Sequence, residues 1–363
     1  MGDQRFSDTQ GNYVVVQSHR DVSIDWKQAQ RPQGDDQGQF DFPLDLSSDP
    51  SSYSDASATQ AFYLGNLFSG FAKAYGFDAA SGNFQGTHTA EDNAGNGVAG
   101  DRVIIYVQDG KGFNNANFAT PADGQSPVMK MYIWNKTKPS RDGAFETPIF
   151  VHEFTHGVTS RLTGGRAASN CLTQGVAAGM GEGWSDIIAL NWRLRAGDEN
   201  GRNAHGQPDR PLGIGTYGNG GNTVRPYIYT TNVDQNPLQF GHLSDARFKT
   251  VHNIGTIWTT MLYEILWNYI AQHGLEPDFI RNPTSTKGNT MFMRMLFASW
   301  KLQPCSPDFL QARSAMLQAD KRLHQEQNKC LIWRGFAKRG MGEDATYSSS
   351  GVVESDKVPS DCE

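Results

Sequence analysis

The chain has 363 residues, with 32 basic and 38 acidic side chains and a net charge of −6. A chain of this length buries roughly three-quarters of the surface of its unfolded state, so it needs no disulfide or metal merely to fold. No run of lysine or arginine stands out, and the longest apolar stretches, such as ILWNYI, are far shorter than the roughly 18–20 residues that span a bilayer. We therefore expect neither nucleic acid nor a membrane as a partner.

Taken in chain order, the first 56 residues combine short β-branched runs such as YVVVQ with turns rich in glycine, aspartate and serine. This pattern predicts strands and extended surface segments. Apolar residues then recur at helical spacing from Ser57 to Tyr75, which predicts a helix. RVIIYVQDG is typical of a strand because apolar residues alternate next to a turn glycine, and VMKMYIW is a second strand candidate.

After Asp142 the pattern becomes mostly helical, apart from a loop-rich region rich in glycine, proline and asparagine at residues 197–245. The strongest amphipathic stretches are Val251–Ile270, Asn289–Trp300 and Pro307–Leu323. The order of these elements predicts an α+β protein with a β-rich N-terminal lobe, residues 1–160, and a mainly helical C-terminal lobe, residues 161–363.

The segment PIFVHEFTHGVTSRLTGG, Pro148–Gly165, lies near the change from strands to helices. In a helix, His152 and His156 lie on one face, one turn apart, with Glu153 beside them. Two imidazoles at that spacing can bind one zinc ion at about 2.0–2.1 Å, and Glu153 then points towards the open position, where a water would lie. This is the His-Glu-x-x-His pattern of zinc peptidases.

A hydrolytic zinc needs a third protein ligand. In one class of peptidase a third histidine follows in the same segment, but the corresponding positions here hold threonine and leucine. GMGEGWSDIIALNW offers Glu182 instead, 26 residues after His156, at the start of an apolar helical run. Asp186 lies one turn further along the same face, where it can accept a hydrogen bond from the second ring nitrogen of His152 and so orient that ligand.

HEFTHGVTSRLTGG together with GMGEGWSD resembles the fungalysins, which are secreted zinc metallopeptidases of the thermolysin-like group. FDFPLDLSSDPSSY, YGFDAASGNFQ, NNANFATPADGQSPVMKMYIW, VHNIGTIWTTMLYEILW and CLIWRGFAKRGMG are of the same type, and the likeness extends from about Gly38 to the end of the chain. The resemblance implies a thermolysin-like two-lobe fold with the zinc helix between the lobes. It also implies an endopeptidase that cuts proteins and peptides on the amino side of apolar residues.

The same resemblance implies roles for individual residues. One zinc ion per chain would be bound, and Glu153 would be the general base that takes a proton from the attacking water and passes it to the leaving amine. His252, in VHNIG, would donate to the tetrahedral intermediate. Arg225, in TVRPY, would bind a substrate carbonyl, while Asn115 and Ala116, in NNANF, would hold the substrate backbone as an added strand.

Two features depart from the thermolysin-like pattern. In LGNLFSGFAKAYGFD, Ser69-Gly70 stands where many relatives have a His-Asp pair, so the resemblance implies no contribution of this helix to the cleft, although the zinc chemistry is untouched. Relatives usually place a tyrosine that faces the oxyanion between the zinc helix and the third ligand, but no tyrosine occurs between His156 and Glu182. Either another residue replaces it, or the intermediate depends on zinc and His252. Acidic loops such as GDDQGQFDFPLD are compatible with calcium but unspecific, so the sequence does not support a calcium site.

In the family, the precursor carries a signal sequence and a long inhibitory propeptide, and neither is recognisable here, so we interpret the chain as the mature part of an extracellular, monomeric enzyme. Four cysteines, an even number without a Cys-x-x-Cys pair, suit an oxidising environment. The resemblance pairs Cys305 with Cys330 and Cys171 with Cys362. Asn135-Lys136-Thr137 has the form of an N-glycosylation acceptor, which adds weak support for secretion.

Two other functions remain to be separated from an endopeptidase. A zinc aminopeptidase would need an acidic cluster that binds a free α-amine, such as a Gly-x-Met-x-Asn segment ahead of the zinc helix, and the sequence lacks that segment. An inactive, peptidase-like binding protein is favoured only by the absent tyrosine, while the intact Glu153 argues against it. A peptidase assay with and without a zinc chelator distinguishes the three.

Overall fold

The computed structural model describes residues 6–89, 92, 95–348 and 351–363. Its strands and helices are, in chain order, β1 (Val14–Ser18), α1 (Ser54–Ala74), β2 (Val103–Val107), β3 (Ala116–Ala119), β4 (Val128–Met131), β5 (Ile133–Trp134), β6 (Arg141–Asp142), α2 (Thr147–Leu162), α3 (Gly175–Asn191), α4 (Val251–His273), α5 (Gly288–Leu302), α6 (Phe309–His324), α7 (Lys329–Lys338), β7 (Thr346–Ser348) and β8 (Gly351–Val353). Sheet and helix are both present, as an α+β fold requires. Across the described residues, each helix is too short or too polar to cross a membrane.

The chain forms two compact units. One comprises Met1–Arg161 and Gly215–Val224, and the other comprises Leu162–Ile214 and Arg225–Glu363. The first contains the four-stranded sheet with α1 and all of α2 except its last residue, and the second contains α3 to α7.

The sheet of the first unit has the strand order β1-β2-β4-β3. Strands β1, β2 and β4 run parallel, whereas β3 pairs with β4 in the antiparallel direction and forms one edge. Strands β1 and β2 are buried along most of their length, as expected where both faces of a parallel sheet are covered, whereas burial alternates along β4. Helix α1 lies directly on this sheet: a Cβ atom added to Gly65 would come within 2.9 Å of Val14 and 3.2 Å of Ile105.

Most predicted elements of the first unit are confirmed, with one exception. YVVVQ forms β1, RVIIYVQDG forms β2, and α1 begins three residues before the predicted Ser57, directly after a 3-10 turn at Pro50–Tyr53. The interpretation of VMKMYIW as one strand is wrong. The segment divides at Tyr132 into β4, which belongs to the main sheet, and β5, which pairs with β6, because its two halves have different hydrogen-bonding partners.

In the second unit, α3 and α4 cross at very short range. A Cβ atom added to Gly183 would lie 2.7 Å from the carbonyl oxygen of Gly255, and one added to Gly255 would lie 2.5 Å from Cβ of Glu182. A larger residue at either glycine would therefore force the two helix backbones apart. The predicted helices α4, α5 and α6 are confirmed, whereas α7 was not predicted because it spans only ten residues.

The disulfide pairing inferred from the resemblance is wrong. Cys171 is bonded to Cys305, with Cα atoms 4.8 Å apart, and Cys330 is bonded to Cys362, with Cα atoms 5.1 Å apart. Bonding requires Cα atoms within about 4.4–6.8 Å, so the pairing depends on which loops meet. The loops that follow α2 and α5 meet near Gly164, while Cys362 lies beside α7, where Arg334 donates to its carbonyl oxygen at 2.9 Å.

Candidate metal centre and active site

Helix α2 is held in the first unit by aromatic side chains on one face. The ring of Phe154 lies 4.8 Å from that of Phe68 and 5.7 Å from that of Phe118. A Cβ atom added to Gly157 would come within 2.7 Å of Phe118, so the helix packs against this cluster through a residue without a side chain. Because successive helical residues turn by about 100°, His152 and His156 lie on the face away from Phe154.

The two histidines point their outer ring nitrogens at each other. The Nε2 atoms of His152 and His156 are 3.0 Å apart, and the rings are nearly perpendicular, at 87°. Two nitrogen ligands of a tetrahedral zinc ion at about 2.0–2.1 Å would be about 3.3 Å apart, which is close to the separation observed. His152 is only 4 % exposed and Glu153, the next residue, only 6 %, so the first histidine and the predicted base are shielded from bulk water, whereas His156 is partly exposed.

Glu182 and Asp186 lie one turn apart on α3, as the sequence indicates, but not at the start of the helix. Helix α3 begins at Gly175, seven residues before Glu182. The glycines of GMGEG do not end the helix here, because Gly179 and Gly183 face α4, where a Cβ atom at Gly179 would lie 2.3 Å from Ile254. Neither acid is therefore placed to interact with the positive end of the helix dipole.

Asp186 is fully buried and is bound by two residues of the loop-rich region. Arg225 donates from Nε to Oδ2 at 2.7 Å and from Nη2 to Oδ1 at 2.9 Å, while the hydroxyl of Tyr229 donates to Oδ2. Arg225 also donates from Nη2 to Oε2 of Glu182 at 3.4 Å. One guanidinium thus links the predicted third ligand to the acid one turn further along α3.

The charges in this cluster are fixed by burial and by one another. Burial alone would lower the pKa of the Arg225 guanidinium, but Asp186, Tyr229 and Glu182 together raise that pKa above its ordinary value. Burial, reinforced by the charge of Asp186, raises the pKa of the Tyr229 phenol well above its usual range. Arg225 is therefore a permanent cation, and Tyr229 a permanent neutral donor.

His252 lies in the first turn of α4, which Thr250 caps by accepting a hydrogen bond from the backbone of Asn253. Its Nε2 atom is 3.3 Å from Oε2 of Glu182, and its side chain is 55 % exposed. The close crossing of α3 and α4 places these two residues together. An exposed imidazole next to a candidate metal ligand can reach a bound substrate, which a buried one could not.

Ala116 is the first residue of the edge strand β3, and Asn115 directly precedes it. Ala116 is opposite Met131 of β4, and the backbone nitrogen of Tyr132 donates to the carbonyl oxygen of Asn115 at 3.3 Å. In the described sheet β3 has β4 on one side only. Its other side therefore presents backbone donors and acceptors that an extended peptide can pair with.

Tyr229 is the residue that sequence analysis missed. It lies in the loop-rich region, where no periodicity marks it, four residues after Arg225. The only signal available was its proximity to that arginine in RPYIY.

His152, His156 and Glu182 form a group that could hold a metal ion. One potential ligand atom from each side chain lies within 4.8 Å of those from the other two. Among the described residues, this is the one cluster of three histidine, cysteine, aspartate or glutamate side chains with such a geometry. Two imidazole nitrogens and one carboxylate oxygen are a donor set that catalytic zinc sites use, so the residues fit such an ion.

Comparison with known proteins gives a consistent family assignment. Residues 2–345 match the family model described as fungalysin metallopeptidase (M36). The chain is 43 % identical over 366 aligned residues to the extracellular metalloproteinase mep of Aspergillus flavus, covering 99 % of this chain and 55 % of that protein. It is 42 % identical to the extracellular metalloproteinase 9 of Uncinocarpus reesii, with the same shares covered.

A third relative is the extracellular metalloproteinase 4 of Trichophyton tonsurans, at 43 % identity over 98 % of this chain and 54 % of that protein. The chain thus spans about 55 % of the length of the first of the curated relatives it matches. The family model covers nearly all of the chain, and the relatives align with it almost from end to end. The chain belongs to the fungalysin metallopeptidase family.

Proposed function

We propose that this chain is the catalytic part of a secreted, zinc-dependent endopeptidase with a thermolysin-like fold of two lobes, residues 1–160 and 161–363. The observation that carries the proposal is the group formed by His152, His156 and Glu182 in a member of a metallopeptidase family. Each chain would hold one zinc ion. When bound, zinc lowers the pKa of a coordinated water and polarises a carbonyl oxygen.

Glu153 is the proposed general base. It is the residue after the first histidine, and it is largely buried, at 6 % exposed. It takes a proton from the attacking water and later passes that proton to the leaving amine, so one carboxylate serves as base and then as acid. Asp186 orients His152, and Arg225 holds Asp186 in place.

The remaining proposed residues bind the substrate. The exposed imidazole of His252 donates to the oxygen that becomes negatively charged during attack, and this compensates for the absent tyrosine. Arg225 binds a substrate carbonyl in addition to its contact with Asp186. Asn115 and Ala116 pair with the substrate backbone at the free edge of β3, and cleavage occurs on the amino side of apolar residues.

The proposed substrates are proteins and peptides, and the proposed location is extracellular. Both are supported by the names of the relatives, which are extracellular metalloproteinases. We further propose that the enzyme acts as a monomer and that a propeptide inhibits its precursor.

The decisive experiment measures cleavage of casein and of a quenched peptide, with and without a zinc chelator. Glu153→Gln should abolish turnover while zinc content stays near one per chain, because the variant loses the base and keeps the ligands. Glu326→Gln, which changes an exposed glutamate paired with Lys321, serves as the matched control and should retain full activity. Turnover by the Glu153 variant would show that this residue is not the base, and activity unaffected by the chelator would exclude a metallopeptidase.

A further inference from the structure

One acceptor triplet in this sequence is not used by the proposed peptidase chemistry. Asn135-Lys136-Thr137 is the only Asn-x-Ser/Thr triplet in the chain whose middle residue is not proline. The other triplet of similar form, Asn282-Pro283-Thr284, is excluded by its proline. The chain therefore contains one candidate for N-linked glycosylation together with a natural negative control.

The triplet lies in the loop between β5 and β6, residues 135–140, where Asn135 and Lys136 are both exposed. A bulky, solvated sugar can be carried only at such a surface position. The loop is ordered by local hydrogen bonds, including one from the hydroxyl of Thr137 to the carbonyl oxygen of Pro139 at 2.7 Å. The site is thus a defined surface loop and not a part of the buried core.

The hydrogen bonds of Asn135 leave its reactive atom available. Its backbone nitrogen donates to Oδ1 of Asn114 at 3.0 Å, and its Oδ1 accepts from Nδ2 of Asn114 at 2.7 Å. Because Oδ1 of Asn114 accepts from a backbone N–H, Nδ2 of Asn114 must be the donor, which assigns the facing atom of Asn135 as Oδ1. Nδ2 of Asn135 has no hydrogen-bond partner among the described residues and lies on an exposed side chain.

We propose that Asn135 carries an N-linked oligosaccharide, a proposal that rests on the secretion included in the proposed function. The donor class is a polyprenyl diphosphate-linked oligosaccharide. The bond between the sugar C1 atom and the phosphate oxygen breaks, the bond from C1 to Nδ2 of Asn135 forms, and Nδ2 loses one proton while the lipid diphosphate leaves. No oxidation or reduction takes place.

Glycosylation is compatible with the neighbouring edge strand. The pair formed by Asn114 and Asn135 uses Oδ1 and the backbone nitrogen of Asn135, and both remain after a sugar is attached to Nδ2. Asn115 therefore keeps its position, and cleavage of a short peptide should be the same with and without the sugar.

To test this proposal, the chain is expressed in yeast with a secretion signal, and its peptides are mapped by mass spectrometry. An amidase that removes N-glycans converts a glycosylated asparagine into aspartate, so the peptide containing Asn135 should carry an aspartate after treatment, and the peptide containing Asn282 should not. Thr137→Ala should abolish the modification and Thr137→Ser should retain it. The two variants differ by one hydroxyl group.

Pro283→Ala supplies a positive control, because it turns Asn282 into the first residue of an acceptable triplet in an exposed loop. Modification of Asn282 in that variant with Asn135 unmodified in the same molecule would overturn the proposal. The mass readout does not require catalysis, so an inactive but glycosylated protein would contradict the proposed function and leave this inference standing. Glycosylated chain retained inside the cell would contradict only the extracellular location.

Discussion

The guanidinium of Arg225 binds both carboxylate oxygens of Asp186, at 2.7 and 2.9 Å, in a position where the arginine is only 9 % exposed. Arg247 binds both oxygens of Asp245 in a similar manner, but these two residues lie at the surface. The buried pair is expected to stabilise the folded protein more than the exposed pair, because water and ions screen the exposed charges. The buried pair is linked to Glu182, so its geometry is expected to determine the geometry of the site.

Arg225→Lys should lower kcat/KM and zinc affinity by about 10–100-fold, since lysine cannot bind both oxygens of Asp186 and a ligand-orienting contact of this type typically has that effect. The measurements are steady-state kinetics on a quenched peptide and zinc competition with a chelator. Arg247→Lys is the matched control and should leave both quantities unchanged. Equal effects of the two substitutions would contradict a positioning role for Arg225.

Tyr229→Phe should lower the free energy of unfolding by about 1–3 kcal/mol, because it removes a hydrogen bond to a buried carboxylate without changing the shape of the side chain. Urea denaturation followed by tryptophan fluorescence measures this change. Tyr227→Phe, two residues earlier at a partly exposed position, should have a much smaller effect. A stability loss confined to Tyr227→Phe would show that the phenol of Tyr229 is not needed by Asp186.

His252→Ala should lower kcat by about 10²–10³-fold with little change in KM, because a donor to the developing oxyanion acts mainly in the transition state. His205→Ala removes an exposed histidine that is paired with Asp234 and should leave both kcat and KM unchanged. If the His252 variant raises KM and leaves kcat intact, the residue binds substrate and does not stabilise the transition state.

The two disulfides should contribute unequally to stability. In the chain-entropy model, the bond between Cys171 and Cys305 closes a loop of 134 residues and stabilises the folded state by about 5 kcal/mol. The bond between Cys330 and Cys362 closes a loop of 32 residues and stabilises it by about 3.7 kcal/mol. Replacing each pair by serine and comparing urea denaturation curves tests the order. Non-reduced peptide mapping that recovered a Cys305–Cys330 peptide would contradict the observed pairing itself.

The stability of the second unit should fall in acid through Asp320. Burial alone would raise the pKa of its carboxyl, but hydrogen bonds from His324 and Asn328 hold that pKa below its ordinary value of 3.8. Because the pKa is lower in the folded state, the stabilisation is complete above that ordinary value and is lost as the pH falls through the folded pKa.

Urea denaturation at a series of pH values from about 6 to 3 measures this loss. Asp320→Asn should be less stable near neutral pH and show a smaller dependence on pH, since it no longer titrates. Asp278→Asn, at an exposed position, is the control and should follow the wild-type profile. Identical pH profiles for wild type and Asp320→Asn would show that this carboxyl does not cause the loss of stability in acid.

Several elements could be predicted because their signals are local. The start of α4 at Val251 was predicted from apolar residues at helical spacing, and the structure adds a cap by Thr250 at this position. The placement of His152 and His156 on one face of a helix is a consequence of 3.6 residues per turn. Glu182 was correctly placed on a helix, but its position within the helix was wrong, because glycines that usually end helices are accommodated here by the crossing of α3 and α4.

The sequence alone therefore determined the family-specific motifs, the main helices and the chemistry of the candidate ligands, all of which depend on residues close together in the chain. Tertiary structure decided which cysteines pair, where VMKMYIW divides, and that Tyr229 and Arg225 bind Asp186 about 40 residues away in sequence. These outcomes depend on which distant segments meet. Such meetings are set by the packing of many side chains at once, which no short stretch of sequence encodes.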